Sequence, residues 1–226
     1  MMKRSVIILA GGMSSRMGTD KAFLSIGVSS FLELIVSESL TVSSDVVIAG
    51  GMKNVKDYRK LLQNEDVHVF NDETCVHSPL SGIVTGLNHV KGEYAAVLAC
   101  DLPLVKSSLL THLFSEALGH DAAVPTWDIK DKMSTEPLCA VYRVESTRSA
   151  VQRMLEERKN PCKKMILQLS SVNFVPMSEL RAYDNRLDSF RNINTKNDYA
   201  DLLAEIEESQ AEVTRILPVE QQVLSL

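Results

Sequence analysis

The sequence predicts an α/β fold: an open, mainly parallel, doubly wound sheet held between two layers of helices, α/β/α. Three observations carry this. Near-continuous apolar runs alternate with segments of helical period over residues 5–125. A glycine-rich loop follows the first run, at the end of the sheet where open α/β folds bind ligands. An aspartate follows the fourth run and faces the same crevice.

In chain order the apolar runs are Val6–Leu9, Val46–Ile48, Val67–Phe70, Ala95–Ala99 and Ala122–Val124. Strands covered on both faces lose the alternation of half-exposed ones and read this way. Between them, Leu32, Ile35, Val36 and Leu40 repeat at helical spacing, as do Leu80, Ile83, Val84 and Leu87. Leu109, Leu110, Leu113, Phe114, Ala117 and Leu118 form a third stripe, with Ser107 or Ser108 as its N-cap. Beyond Pro125, Leu138–Tyr142 and Val172–Val175 read as strands, and Ala150, Val151, Met154 and Leu155 as a helix face. Thr195–Asp198 is a capping-box pattern that opens a helix through Tyr199, Leu202, Leu203 and Ile206. Residues 1–208 read as one domain and 209–226 as a C-terminal tail.

Composition narrows the class. The chain has 226 residues, 45% hydrophobic and 23% charged, which is globular material able to bury a core without staples. Cys75, Cys100, Cys139 and Cys162 include no CxxC pair, so neither a zinc knuckle nor a disulfide framework is expected. Reduced thiols and the lack of any apolar run near the ~18 residues of a membrane span point to a soluble, cytoplasmic protein. A net charge of −5 argues against nucleic acid as a partner. The acidity is local, because seven acids against Arg215 give residues 198–226 a balance of −6 and leave the first 197 residues at +1. Anionic substrates are therefore not repelled by the body of the protein.

The loop after the first strand reads Leu9-Ala-Gly-Gly-Met-Ser-Ser-Arg16-Met-Gly-Thr-Asp20-Lys21. Gly11 and Gly12 let backbone N–H groups approach an anion closely. Ser14 and Ser15 add hydroxyls, and Arg16 and Lys21 add cations, so the loop suits a polyphosphate. It is neither GxxxxGK[ST] nor GxGxxG, which removes the P-loop and the dinucleotide fingerprint. Asp101, in Cys100-Asp-Leu-Pro103, either holds a hard cation such as Mg²⁺ or caps the next helix. Asp72 points to the crevice from the third strand or serves as a turn residue. Of the five histidines, only His77 lies beside a candidate ligand segment.

These residues resemble the nucleotidyltransferases that make the molybdenum cofactor dinucleotide, and within them the molybdenum cofactor guanylyltransferases. That family's pattern LAGGxSxRMGxDK is matched at every specified position of Leu9–Lys21. Further similarity lies at Pro79-Leu-Ser-Gly82, Cys100-Asp-Leu-Pro103, Glu136-Pro137 and Asn192-Ile-Asn194-Thr195. The resemblance implies a Rossmann-like nucleotidyltransferase fold with GTP and molybdopterin as substrates. It implies that Leu9, Ala10, Gly11 and Gly12 line the nucleotide's site and that Lys21 meets its phosphates. Asp72 would contact the nucleoside, Pro79, Leu80 and Gly82 would flank the base, and Asp101 would meet both nucleotide and Mg²⁺. Asn192 and Asn194 would face the pterin, and a delivery protein that hands over molybdopterin is a further implied partner.

The same resemblance bears on base choice. Cytidylyl relatives carry LAAG where this chain has LAGG, so a missing Cβ at Gly11 would leave room for a purine. Two departures stand out: Ser78 precedes Pro79 where the family often has glycine, and Ala49-Gly50-Gly51 stands where relatives often carry an asparagine, a place Asn54 could fill. The expected reaction is attack by the molybdopterin phosphate on the α-phosphorus of GTP, with Arg16, Lys21 and an Asp101-bound Mg²⁺ meeting the charge. Rival readings are a sister transferase using a sugar phosphate, cobinamide phosphate or CTP, and a guanine-nucleotide-binding regulator without turnover.

Overall fold

The computed structural model describes residues 2–11, 17–51, 55–62, 64–73, 78–157 and 162–216. The chain opens with β1 (Arg4–Leu9), passes through a small hairpin of β2 (Ser25–Ile26) and β3 (Ser29–Ser30), and enters α1 (Phe31–Leu40). There follow β4 (Val46–Ala49), α2 (Val55–Leu62), β5 (Val67–Phe70), α3 (Pro79–His89), β6 (Tyr94–Ala99) and α4 (Ser107–Glu116). The second half adds β7 (Ala122–Thr126), β8 (Cys139–Arg143), α5 (Val144–Glu156), α6 (Cys162–Ile166), β9 (Val172–Pro176), α7 (Met177–Leu180) and α8 (Lys196–Ile216). The division at residue 208 falls within α8.

The seven-stranded sheet has the order β5-β4-β1-β6-β8-β7-β9. β1 pairs in parallel with β4 and β6, with Val6 opposite both Val46 and Ala96. β8 runs antiparallel to β6 and β7, and β9 returns parallel to β7. The chain winds outward from β1 through β4 to β5, then crosses back to place β6 on the other side of β1. The order reverses there, and in open α/β sheets the carboxyl ends of the two strands at such a point, here β1 and β6, border the ligand crevice.

Burial explains the apolar runs. Val6 and Ile8 enter one core cluster with Leu32 and Ile35 of α1, Tyr58 of α2 and Leu110 and Phe114 of α4. Ile7 points the other way, into a second cluster with Leu80, Ile83 and Leu87 of α3 and Val151 and Met154 of α5. Both faces of β1 are covered, so alternation vanishes from its sequence. The result is the expected three-layer α/β/α arrangement.

Caps set the helix starts. At α8, the Asp198 N–H donates to Thr195 Oγ1 at 3.1 Å and the Thr195 N–H donates to Asp198 Oδ2 at 2.7 Å, as the sequence predicts. At α4 the expectation needs correction, since Lys106 takes the N-cap position and no side chain of its own caps the helix. The Ser107 N–H donates instead to Glu38 Oε2 of α1 at 2.6 Å. A carboxylate from a neighbouring helix satisfies the orphan donor and complements the helix dipole. No helix among the described residues is long and apolar enough to cross a membrane.

Candidate functional site

The crevice is built where β1 and β6 end. The Cys100 N–H donates to the Leu9 carbonyl at 3.1 Å and the Ala10 N–H to the Ala49 carbonyl at 2.8 Å, which fixes three loops side by side. Asp101 is the first residue beyond this join. It does not cap α4, which begins at Ser107. Lys21 comes from the far side of the glycine loop, on a 3-10 turn over Lys21–Phe23 whose Ala22 N–H donates to Asp20 Oδ1 at 3.0 Å.

Lys21 Nζ lies 3.1 Å from Asp101 Oδ2 and donates to Asn194 Oδ1 at 2.7 Å. Three residues drawn from distant parts of the sequence thus meet. Asp101 Oδ1 is buried and has no hydrogen-bond partner among the described residues. A half-engaged carboxylate beside an ammonium ion is an arrangement for binding charge, since leaving a buried polar oxygen unsatisfied is costly in a purely structural role. The Cys100 thiol next door is pushed up to about 12 by burial first, then by the charges of Asp101 and Asp20, with Lys21 opposing. It stays protonated and offers no nucleophile.

The second flank of the crevice is the segment before α8. The Ile193 N–H donates to the Asp101 carbonyl at 3.0 Å, and the Ile193 side chain is buried with Phe31 and Leu202. Asn192 and Asn194 on either side are exposed. The Asn192 amide donates to the Phe190 carbonyl at 3.3 Å. The backbone N–H groups of Asn194 and Thr195 hold the Asp198 carboxyl below the usual carboxylate range, which steadies the chain at Asn194. Further back, Asp184 is buried against Lys106, at 2.7 Å, and accepts the Ser189 N–H at 2.7 Å.

The base-side candidates are gathered differently. A Cβ on Gly82 would stand 3.0 Å from Leu9 Cδ2 and 3.9 Å from Asp72 Oδ1, so α3, the end of β1 and Asp72 meet there. Leu80 is fully buried in the second core cluster, so its side chain supports the helix from within. Pro79 is exposed as the first residue of α3. Ser78 has φ −149° and ψ 156°, an extended conformation that any residue before proline favours, so its replacement of glycine introduces no strain.

Gly11 behaves otherwise than expected. A Cβ placed on it would lie 2.6 Å from Gly51 Cα, so the missing side chain is filled by backbone and leaves no room for a base. The Ala49-Gly50-Gly51 departure finds its reason in the same contact: glycines after β4 let that loop press against the one after β1. Arg16, Gly12, Ser14, Ser15, Asn54 and His77 lie outside the described residues, as does Cys75. Three other histidines have structural partners: His89 pairs with Glu73 and stacks on Phe70, His112 pairs with Glu179 and stacks on Tyr183, and His120 shares a hydrogen bond with Ser171.

One residue of the site has no counterpart in the sequence reading. Tyr58 on α2 is 1% exposed, and its hydroxyl lies 2.6 Å from Asp20 Oδ2 and 3.0 Å from the Ala10 carbonyl oxygen. Its ring stacks on Phe23 at 5.4 Å. α2 carries four charged residues among eight, yet Val55, Tyr58, Leu61 and Leu62 keep helical spacing, a stripe from which Tyr58 could have been found.

Comparison with known proteins agrees with this geometry. Residues 6–172 match the family model described as "MobA-like NTP transferase domain". A protein of Methanosarcina acetivorans named "Probable molybdenum cofactor guanylyltransferase" is 33% identical over 210 residues, covering 90% of this chain and 91% of its own. A protein of the same name from Clostridium perfringens strain 13 is 31% identical, covering 90% of this chain and 98% of its own. Among solved structures, molybdopterin-guanine dinucleotide biosynthesis protein A from Archaeoglobus fulgidus superposes with a TM-score of 0.72 at 27% identity, covering 92% of this chain and 99% of that one. A family match that spans β1 through the start of β9, with relatives aligned over nine tenths of the sequence, makes this chain a nucleotidyltransferase of the MobA-like NTP transferase family.

Proposed function

We propose that this protein transfers GMP from GTP to the terminal phosphate of molybdopterin and releases pyrophosphate. The observation that carries the reading is Lys21 held between Asp101 and Asn194 at the switch point of the sheet. A cation and an acid on one side and an exposed amide on the other suit two anionic substrates meeting in one crevice. The names of the relatives support the choice of guanine nucleotide and molybdopterin.

In this reading an oxygen of the molybdopterin phosphate forms a bond to the α-phosphorus of GTP. The bond from that phosphorus to the β-phosphate oxygen breaks, and pyrophosphate departs with its electron pair. The attacking phosphomonoester is already largely dianionic near neutral pH, so no protein base is needed. Leu9, Ala10 and Gly11 line the nucleotide, with Gly12 and Arg16 completing the loop. Lys21 neutralises charge growing on the phosphates. Asp72, Pro79 and Gly82 border the nucleoside with Leu80 behind them, and Asn192 and Asn194 face the acceptor. Asp101 fits Mg²⁺, because a buried carboxylate oxygen without a partner among the described residues is the hard donor this ion takes. When bound, the ion supplies charge neutralisation on the phosphates. Free thiols at Cys100, Cys139 and Cys162 suit a cytoplasmic setting, where molybdopterin arrives free or from a delivery protein.

The test is pyrophosphate release from GTP, CTP, ATP and UTP, each with Mg²⁺ and with or without molybdopterin. Release that needs GTP, Mg²⁺ and molybdopterin together is expected. Release with CTP in preference to GTP overturns the base assignment. GTP binding without turnover in the presence of molybdopterin overturns the catalytic one.

A further inference from the structure

Tyr58 joins both ends of the glycine loop through one hydroxyl. Ala10 is the second residue before the undescribed stretch 12–16, and Asp20 is the fourth after it. The hydroxyl proton is shared between two acceptors, the Ala10 carbonyl and the Asp20 carboxylate. Asp20 in turn has an occupied oxygen on each side, with Oδ1 taking the Ala22 N–H at 3.0 Å and Oδ2 facing Tyr58 at 2.6 Å. That pair of contacts caps the 3-10 turn on which Lys21 is the first residue.

The ring is admitted by a glycine. A Cβ on Gly50 would stand 3.1 Å from two carbons of the Tyr58 ring and 3.1 Å from Val55 Cγ2. The ring also stacks on Phe23, the last residue of the same turn. Tyr58 therefore holds the turn at both its ends, by hydroxyl at Asp20 and by ring at Phe23. Tyr58 itself is buried, 1% exposed, so it acts through these neighbours.

We propose that Tyr58 is a positioning residue that acts through Lys21, setting the ammonium against the nucleotide's phosphates. The inference rests on the proposed nucleotide reading and deepens it. The physical link is Asp20. With its carboxylate tied on both oxygens, it keeps the turn closed and its charge engaged next to the lysine. Without the hydroxyl, Oδ2 loses its 2.6 Å donor, and the charge of Asp20 competes more strongly with phosphate for the adjacent Lys21 ammonium. Phosphate affinity falls while affinity for an uncharged nucleoside does not.

A double-mutant cycle tests this, with GTP and guanosine affinities measured by calorimetry on the full chain. Tyr58→Phe keeps the ring against Phe23 and Gly50 and removes only the hydroxyl. It is expected to weaken GTP about tenfold, in line with a hydrogen bond to a charged group, and to leave guanosine unchanged. In a Lys21→Ala background the same change should alter GTP affinity less than about twofold, because the two residues act as one unit. Thermal unfolding of each variant accompanies the cycle. Equal losses in both backgrounds, or a loss shared by guanosine, would reduce Tyr58 to a structural role and overturn the proposal. Absence of GTP binding by the wild-type chain, or of any effect of Lys21→Ala on it, overturns the nucleotide reading itself and this inference with it.

Discussion

Gly11 and Gly51 lie back to back: a Cβ on Gly51 would stand 2.8 Å from Gly11 Cα, and Gly51 has a φ of +65°. The contact locks the loop after β1 to the loop after β4, and in the proposed reading the two carry the nucleotide side of the crevice. Gly11→Ala meets backbone that cannot swing aside, and overpacking of this kind costs about 1–3 kcal/mol. Gly51→Ala adds the strain of a left-handed residue, roughly 1 kcal/mol more. Thermal unfolding should therefore rank wild type above Gly11→Ala and Gly11→Ala above Gly51→Ala. Equal midpoints for all three would contradict the packing.

Asp101→Asn keeps the shape of the side chain and removes its charge. In the proposed reading this carboxylate holds Mg²⁺, and its loss should lower turnover about a hundredfold or more, since metal stabilisation of phosphate charge is worth several kcal/mol. Circular dichroism should be unchanged. Retention of most of the Mg²⁺-dependent pyrophosphate release would remove Asp101 from the metal site.

Asn194→Ala frees Lys21 from one of its partners without touching Asp101. Acceptor KM should rise about tenfold, the cost of one good hydrogen bond, while GTP affinity stays the same or tightens. Initial-rate kinetics at saturating GTP separate the two. A variant that loses GTP affinity and keeps acceptor KM would put Asn194 on the nucleotide side instead.

Asp184 anchors the stretch that leads to Asn192. Burial alone would raise its pKa, but hydrogen bonds from Lys106 and Ser189 outweigh that and hold it below the usual carboxylate range. A lowered folded-state value stabilises the protein above the unfolded pKa of about 3.9, and that stability disappears as pH falls through the folded value. Asp184→Asn should cost about 2 kcal/mol near neutrality. Its deficit relative to wild type should shrink steadily below about pH 4 in denaturant titrations. A deficit independent of pH would show that the charge plays no part.

The strands were legible because burial on both faces leaves an unbroken apolar run, as at Val6–Leu9 and Ala95–Ala99. The Thr195–Asp198 cap was legible because it is local. The cap of α4 was hidden, since its acceptor is Glu38, 69 positions away. Lys21 and Asp101 announced themselves by residue type and by their place after strands. Tyr58 did not, because a tyrosine in a polar helix gains its meaning only when Gly50 makes room for it. The role of Gly11 was misread for a related reason: a missing side chain reveals space, but only the fold shows that Gly51 occupies it.

The bond from Ile193 to the Asp101 carbonyl closes the crevice with residues far along the chain from the loops after β1 and β6. β1, β4, β5 and β6 and the turn that holds Asp101 are complete by residue 101, some ninety positions before Ile193. The wall bearing Asn194 is added only once α8 follows and buries Leu202 beside Ile193 and Phe31. In the proposed reading, unfolding of α8 would therefore remove the wall that faces the acceptor while leaving β1, β4, β5 and β6 in place.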